Sequence, residues 1–197
     1  MHGTGALLLG GTYLLASIPF GLLVGRSRGV DVRQVGSGNI GATNVARALG
    51  KPLALLVLLL DAGKGLGPVL LGRALLAAEP HHELWVGGLM LAAVLGHCFT
   101  VFLRFRGGKG VATGLGVLLG AAPWAGLAAL LAYGLLYALF RISSVGSLGG
   151  LTVGLGALFV LKAPWPLLAA HGLILLVVVL RHHENLARLL RGEEKKI

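Results

Sequence analysis

The segment Arg106-Gly107-Gly108-Lys109-Gly110-Val111-Ala112-Thr113 has residue types and spacing that suggest anion chemistry. Three glycines in four positions leave the backbone unobstructed, so successive N–H groups can point at one anion. Lys109 adds a mobile positive charge, and Thr113 a hydroxyl near the start of a following helix. A phosphate suits this arrangement. The segment is not a Walker A loop, because Gly110 follows Lys109 where Ser or Thr is required.

Three further clusters could handle anions. Residues 36–47 concentrate Ser37, Asn39, Thr43 and Asn44 among glycines and end in Arg47, whose guanidinium can grip a phosphate bidentately. A plain turn with a helix cap at Thr43 or Asn44 would account for the same pattern. Ser143-Ser144 follows an apolar run, where serines commonly cap the next helix. His182, Asn185 and Arg188 recur every three residues and share one face of a helix, which also fits an amphipathic anchor on anionic lipid. His97, upstream of the glycine loop, is by type either a structural histidine or a base. No spacing suggests a metal site.

These clusters have to be positioned by elements that sit in lipid. Hydrophobic residues make up 56% of the chain and charged ones 12%, about half the ~25% charge of a soluble domain. The mean hydropathy is +0.87. Apolar runs cover residues 5–25, 52–76, 84–103, 111–140, 145–161 and 167–180, which predicts an all-α integral membrane protein forming a single polytopic domain over 1–197. Residues 1–5 lack Lys and Arg, and no small-residue cleavage site follows the first run, so it reads as a span. The formal charge of +10 lacks the solvated basic face or aromatic platform that nucleic acid needs, so no nucleic acid partner is expected. Cys98 is the single cysteine, which excludes an internal disulfide.

Topology turns on residues 111–140. If that run is two helices meeting at Pro123, there are seven spans, and residues 26–51, 104–109, 141 and 181–196 fall on one side. Those patches hold 14 of the 17 Lys and Arg. The positive-inside rule then places the N-terminus outside and the C-terminus in the cytoplasm. Residues 111–122 would rise only about 18 Å as a helix, too short to cross unaided, so five or six spans stay open. Asp61 and Lys64, three apart in the second run, are expected to pair within the bundle, because lone charges are costly at membrane depth. A small transporter using that pair is the alternative reading.

The stretch Gly36-Ser37-Gly38-Asn39-Ile40-Gly41-Ala42-Thr43-Asn44-Val45, the stretch from His97 through Gly107 to Thr113, and Arg181-His182-His183-Glu184-Asn185 resemble, in order and spacing, the three signature motifs of the bacterial membrane acyl-phosphate:glycerol-3-phosphate acyltransferases, the PlsY family. The resemblance covers essentially the whole chain. It implies transfer of a fatty acyl group from acyl phosphate to glycerol 3-phosphate at the cytoplasmic face of the bacterial inner membrane, giving lysophosphatidic acid and phosphate, with no cofactor. The soluble enzyme that makes acyl phosphate is an implied partner. By resemblance Ser37, Arg47, Lys109, His182 and Asn185 are catalytic. Asn39, Thr43, Asn44, His97, Gly107, Gly108, Gly110, Thr113, Ser144 (with Ser147 as its neighbour) and Glu193 are substrate-binding. No Ser/His/Asp set suggests a covalent acyl-enzyme. Direct attack by the glycerol hydroxyl is expected, with His182 or a substrate phosphate oxygen as base.

Overall fold

The apolar runs fold as helices because a helix satisfies its own backbone polar groups where no water can. The structure is a computed structural model describing residues 2–196. Its helices are α1 (His2–Ala16), α2 (Phe20–Arg26), α3 (Ala42–Leu49), α4 (Lys51–Leu75), α5 (His82–Cys98), α6 (Val111–Ala121), α7 (Pro123–Phe140), α8 (Ser143–Val160), α9 (Trp165–Arg181) and α10 (His183–Leu190). Single 3-10 turns occur at Val32–Gln34 and Val101–Leu103. No strand occurs among the described residues.

The first run is not one helix. Pro19 has no N–H to continue α1, so the chain breaks between Ala16 and Phe20. Other helices satisfy the carbonyls at the break. The Thr100 hydroxyl donates to the Ser17 carbonyl, and the Lys64 ammonium donates to the Ile18 carbonyl at 3.0 Å.

The expected break at Pro123 is present, with α6 ending at Ala121 and α7 beginning at the proline. At 11 residues, α6 rises only about 16 Å. Arg73 from α4 donates to the Ala121 carbonyl at 2.6 Å, which caps α6 at its C-terminal end. Five stretches are long and apolar enough to cross a membrane, with α1 and α2 counted together. A sixth is added if α9 and α10, bent by 61°, form one span.

α5 sits at the centre of the bundle, with Val86, Leu89, Met90 and Ala93 fully buried. α4 and α6 cross closely at glycines: a side-chain carbon at Gly116 would run into the Ala62 carbonyl, and one at Gly65 would press on that of Thr113. At the cation-rich end, α2, α3 and α4 share a separate core containing Val32, Val45 and Val57, all completely buried. Each such side chain contributes about 1.5–3 kcal/mol where the alternative is water, and this core fixes the short α3.

Candidate active site

The four polar patches that charge asymmetry assigned to one side meet around one cavity of about 170 Å³. Ser37, Asn39, Thr43, Asn44 and Arg47 line it from the first patch. His97, Lys109 and Gly110 line it from the second, and Ser143, Ser144 and Ser147 from the start of α8. His182 and Asn185 come from the bend between α9 and α10. Leu58, Leu115 and Leu130 make an apolar wall, and Asp61, Tyr133, Glu194 and Lys195 also line the cavity. Leu58 and Leu130 are also 41% and 42% exposed on the outer surface of the bundle, so this wall opens sideways.

The residue 36–47 segment is a built loop. Asn44 spends its whole side chain on it: its oxygen accepts from the Ser37 N–H at 3.0 Å, and its amide donates to the carbonyls of Val32 (2.8 Å) and Val35 (3.0 Å). Asn39 accepts from the Gly41 N–H at 3.2 Å, closing a turn just before α3. Asn39 and Asn44 therefore shape the wall. Thr43 and Arg47 lie four apart on α3 and share a face. The Thr43 hydroxyl meets that of Ser143 at 3.0 Å, tying α3 to α8. Arg47 has no side-chain partner among the described residues, which leaves its guanidinium available to an anion.

The glycine loop differs from the expected phosphate cradle. The Gly107 N–H donates to the Cys98 carbonyl at 3.0 Å and the Gly108 N–H to the His97 carbonyl at 3.1 Å, so neither is free for an anion. Their carbonyls accept from Arg181, at 2.7 Å for Gly107 and 3.1 Å for Gly108. Thr113 is fully buried, and its hydroxyl donates to the Asp61 carbonyl at 2.9 Å. Gly107, Gly108 and Thr113 thus spend these groups on the protein's own carbonyls, and none of the three lines the cavity. What faces the cavity is the Lys109 side chain and the first turn of α6, whose leading N–H groups have no intrahelical acceptor. Gly110 introduces that turn with a φ of +86°, a value that favours glycine.

Lys109 donates to the side-chain oxygen of Asn185, and the Asn185 amide donates to a carboxylate oxygen of Glu194. Glu194 also accepts from the Ser144 hydroxyl at 2.9 Å and from Arg188 at 2.6 Å. Burial works against its ionisation, but the bonds from Asn185, Arg188 and Ser144 outweigh burial and hold its pKa below the usual carboxylate range. Of the two neighbouring glutamates, Glu194 is the one that lines the cavity. Glu193 points away and pairs with Arg191 at 2.7 Å. Ser147 donates to the Ser143 carbonyl at 2.7 Å, so Ser144 is the serine joined to the polar network. Burial pushes Lys109 below its ordinary value, with Arg188 acting in the same direction.

His182 is 3% exposed, and its Nδ1 stands 2.8 Å from the Val178 carbonyl. A carbonyl only accepts, so Nδ1 carries the proton and Nε2 keeps its lone pair. Burial pushes this imidazole down to about 4. Sequence reasoning missed Tyr133, whose hydroxyl is 3.4 Å from that of Ser143 at the cavity edge. It also missed Asp61 as a lining residue. Asp61 and Lys64 do pair, at 2.9 Å, and both are buried. Among the described residues no cluster of His, Cys, Asp and Glu is placed to hold a metal ion.

Fold and site together define a multi-helix membrane protein with a cationic cavity that opens sideways between its helices. The glycerol-3-phosphate acyltransferase family model matches residues 6–192. The glycerol-3-phosphate acyltransferase of Anaeromyxobacter sp. (strain K) is 55% identical over 195 residues, covering 98% of this chain and 97% of that one. That of Myxococcus xanthus (strain DK1622) is 50% identical over 196 residues, covering 98% and 99%. The crystal structure of PlsY (YgiH), an integral membrane glycerol 3-phosphate acyltransferase, in its glycerol 3-phosphate form superposes with a TM-score of 0.94 at 39% identity, covering 98% of this chain and 96% of that one. Its lysophosphatidic acid form gives 0.92 at 38% identity, covering 98% and 95%. The chain belongs to the glycerol-3-phosphate acyltransferase (PlsY) family and is an acyltransferase.

Proposed function

We propose that this acyltransferase takes its acyl group from a fatty acyl phosphate and transfers it to glycerol 3-phosphate, releasing 1-acyl-glycerol 3-phosphate and phosphate. The observation that carries the reading is the composition of the cavity. Three cations, Arg47, Lys109 and Lys195, line it together with the first turn of α6, and one wall is apolar and lipid-exposed. Two phosphates and one acyl chain are the substrates such a cavity suits.

In this reading Arg47, with Ser37 and Ser144, holds glycerol 3-phosphate. Lys109 and the α6 N-terminus hold the acyl phosphate, whose chain lies along Leu58 and Leu130 between helices. The glycerol hydroxyl attacks the acyl carbonyl carbon, the carbon–oxygen bond to phosphate breaks, and phosphate leaves with the charge that Lys109 stabilises. Phosphate is a good leaving group, so positioning and electrostatics supply most of the catalysis. The hydroxyl proton needs an acceptor. An imidazole held near 4 is a weaker base than a phosphate monoester, whose second proton binds near pH ~6. A substrate phosphate oxygen therefore takes the proton, and His182 acts by position.

Charge asymmetry supports seven crossings, with α6 as the short one, the C-terminus inside, and the site at the cytoplasmic face of a bacterial inner membrane. That face suits delivery of acyl phosphate by the soluble enzyme that makes it. The test is an assay of purified protein in detergent with palmitoyl phosphate and glycerol 3-phosphate, with palmitoyl-CoA as the parallel donor. Product from palmitoyl phosphate alone is expected. Turnover of palmitoyl-CoA with none of palmitoyl phosphate would overturn the donor.

A further inference from the structure

Asp61 and Lys64 are charged and buried, and the mechanism above makes no use of them. Their surroundings give them a task. His97 lies between Asp61 and the glycine loop. Its Nδ1 faces Asp61 Oδ1 at 3.6 Å, and its Nε2 abuts Gly108 so closely that a side-chain carbon at that position would run into it. The His97 carbonyl also accepts the Gly108 N–H at 3.1 Å. At the other end of the loop, the Thr113 hydroxyl donates to the Asp61 carbonyl at 2.9 Å. The entry to the Lys109 loop thus leans on the Asp61 side chain through His97, while the exit is tied by Thr113 to the backbone of the same residue.

Lys64 holds Asp61 in turn. Its ammonium is 2.9 Å from the carboxylate, donates to the Ile18 carbonyl at the break between α1 and α2 at 3.0 Å, and lies over the Phe20 ring at 5.5 Å. A buried carboxylate beside a cavity for anions would repel them if it were uncompensated. Paired with Lys64, it can orient His97 without that cost.

We propose that Asp61, its carboxylate fixed by Lys64, is the positioning residue of the Lys109 loop, setting through His97 where Lys109 and the first turn of α6 meet the donor phosphate. The inference rests on the assignment of acyl phosphate to that loop. Asp61 acts through the loop, so its loss falls on the donor and leaves the Arg47 subsite intact.

The experiment compares wild type, Asp61→Asn and the charge-balanced Asp61→Asn/Lys64→Gln in detergent, with two readouts. In steady-state kinetics the KM for palmitoyl phosphate should rise roughly tenfold, the equivalent of about 1.4 kcal/mol, while the KM for glycerol 3-phosphate stays within about twofold. In hydrogen–deuterium exchange, amides of residues 107–113 should exchange faster while the middle of α9 stays protected. If either variant folds with wild-type exchange over 107–113, or if the two KM values rise in parallel, the positioning role is wrong. If wild type makes no product from palmitoyl phosphate while the loop still loosens in the variants, the donor assignment falls and the positioning role stands.

Discussion

The Lys109 ammonium is bonded to the side-chain oxygen of Asn185, a residue 76 positions away in the chain. Asn185 passes its amide on to Glu194, so a neutral side chain separates a cation from a carboxylate in the cavity wall. Without that spacer Lys109 and Glu194 would collapse onto each other, and the donor phosphate would have to compete with Glu194 for the ammonium. Asn185→Ala should lower kcat/KM for acyl phosphate roughly ten- to a hundredfold, the range for leaving buried polar partners unsatisfied. Steady-state kinetics at saturating glycerol 3-phosphate checks this, and a value within twofold of wild type would refute it.

Lys109 itself should be visible on the alkaline side. Burial is the largest influence on its pKa and lowers it, Arg188 adds to the lowering, and Glu194 and Glu184 oppose it. The free enzyme therefore loses this charge before an ordinary lysine would, and a neutral amine no longer attracts a dianion. The kcat/KM for acyl phosphate should fall at a pH below the ~10.4 of an unperturbed lysine. Lys109→Arg, whose guanidinium stays charged, should lose that limb while retaining some activity. An identical alkaline limb in both enzymes would assign the titration to another group.

The convergence of the polar patches was legible in the sequence because membrane chemistry makes charge distribution informative: cations cluster at one end, and glycine- and asparagine-rich segments between apolar runs have few other uses. The break at Pro123 was legible for the same backbone reason that proline stops any helix. The use of the glycine-loop amides was not. Composition shows that Gly107 and Gly108 can expose their N–H groups, but not that the carbonyls of His97 and Cys98 lie within reach of them. The direction of the Thr113 hydroxyl was not legible either, because a hydroxyl near a helix start points either to a ligand or to a neighbouring helix, and here the close α4–α6 crossing supplies the Asp61 carbonyl. Glu193 and Glu194 are adjacent, and the choice between them depends on one backbone turn. Gly192 has a φ of +69°, and the Glu193 N–H returns to the Arg188 carbonyl at 2.8 Å. This helix-ending motif turns Glu193 outward and Glu194 into the cavity.

Arg181 clasps the glycine loop from the end of α9, bonding the Gly107 and Gly108 carbonyls while its guanidinium lies 5.8 Å from the Phe99 ring centre. Two parallel acceptors and an aromatic face suit a planar fork and not a point charge. Arg181→Lys should therefore behave as a loop variant, raising the KM for acyl phosphate roughly tenfold, the equivalent of about 1.4 kcal/mol, with little change in thermal stability. Gly108→Ala should be worse, because its side-chain carbon meets the His97 imidazole and must displace the loop. Donor kinetics beside thermal melts separate these outcomes from global unfolding, and an Arg181→Lys enzyme with wild-type KM would remove the clasp from the mechanism.

Glu194 and Glu193 offer the sharpest contrast within one pair of neighbours. The Glu193–Arg191 pair is more than half exposed on both sides, and such pairs contribute about 0–1 kcal/mol. Glu193→Gln should leave activity within about twofold of wild type. Glu194→Gln keeps the shape of the side chain but removes the charge that organises Ser144, Asn185 and Arg188, so its rate should fall roughly tenfold as charge-assisted bonds weaken. The sign of the pH effect separates this structural role from proton transfer. The pKa of Glu194 is lowered in the fold, so its carboxylate is present throughout neutral pH and is lost only as pH falls through that lowered value. An acid limb near pH ~6 must come from phosphate protonation and should survive in Glu194→Gln with an unchanged midpoint. Rate–pH profiles of the two variants decide the matter: disappearance of that limb in Glu194→Gln would make Glu194 the proton acceptor and displace the substrate phosphate from that role.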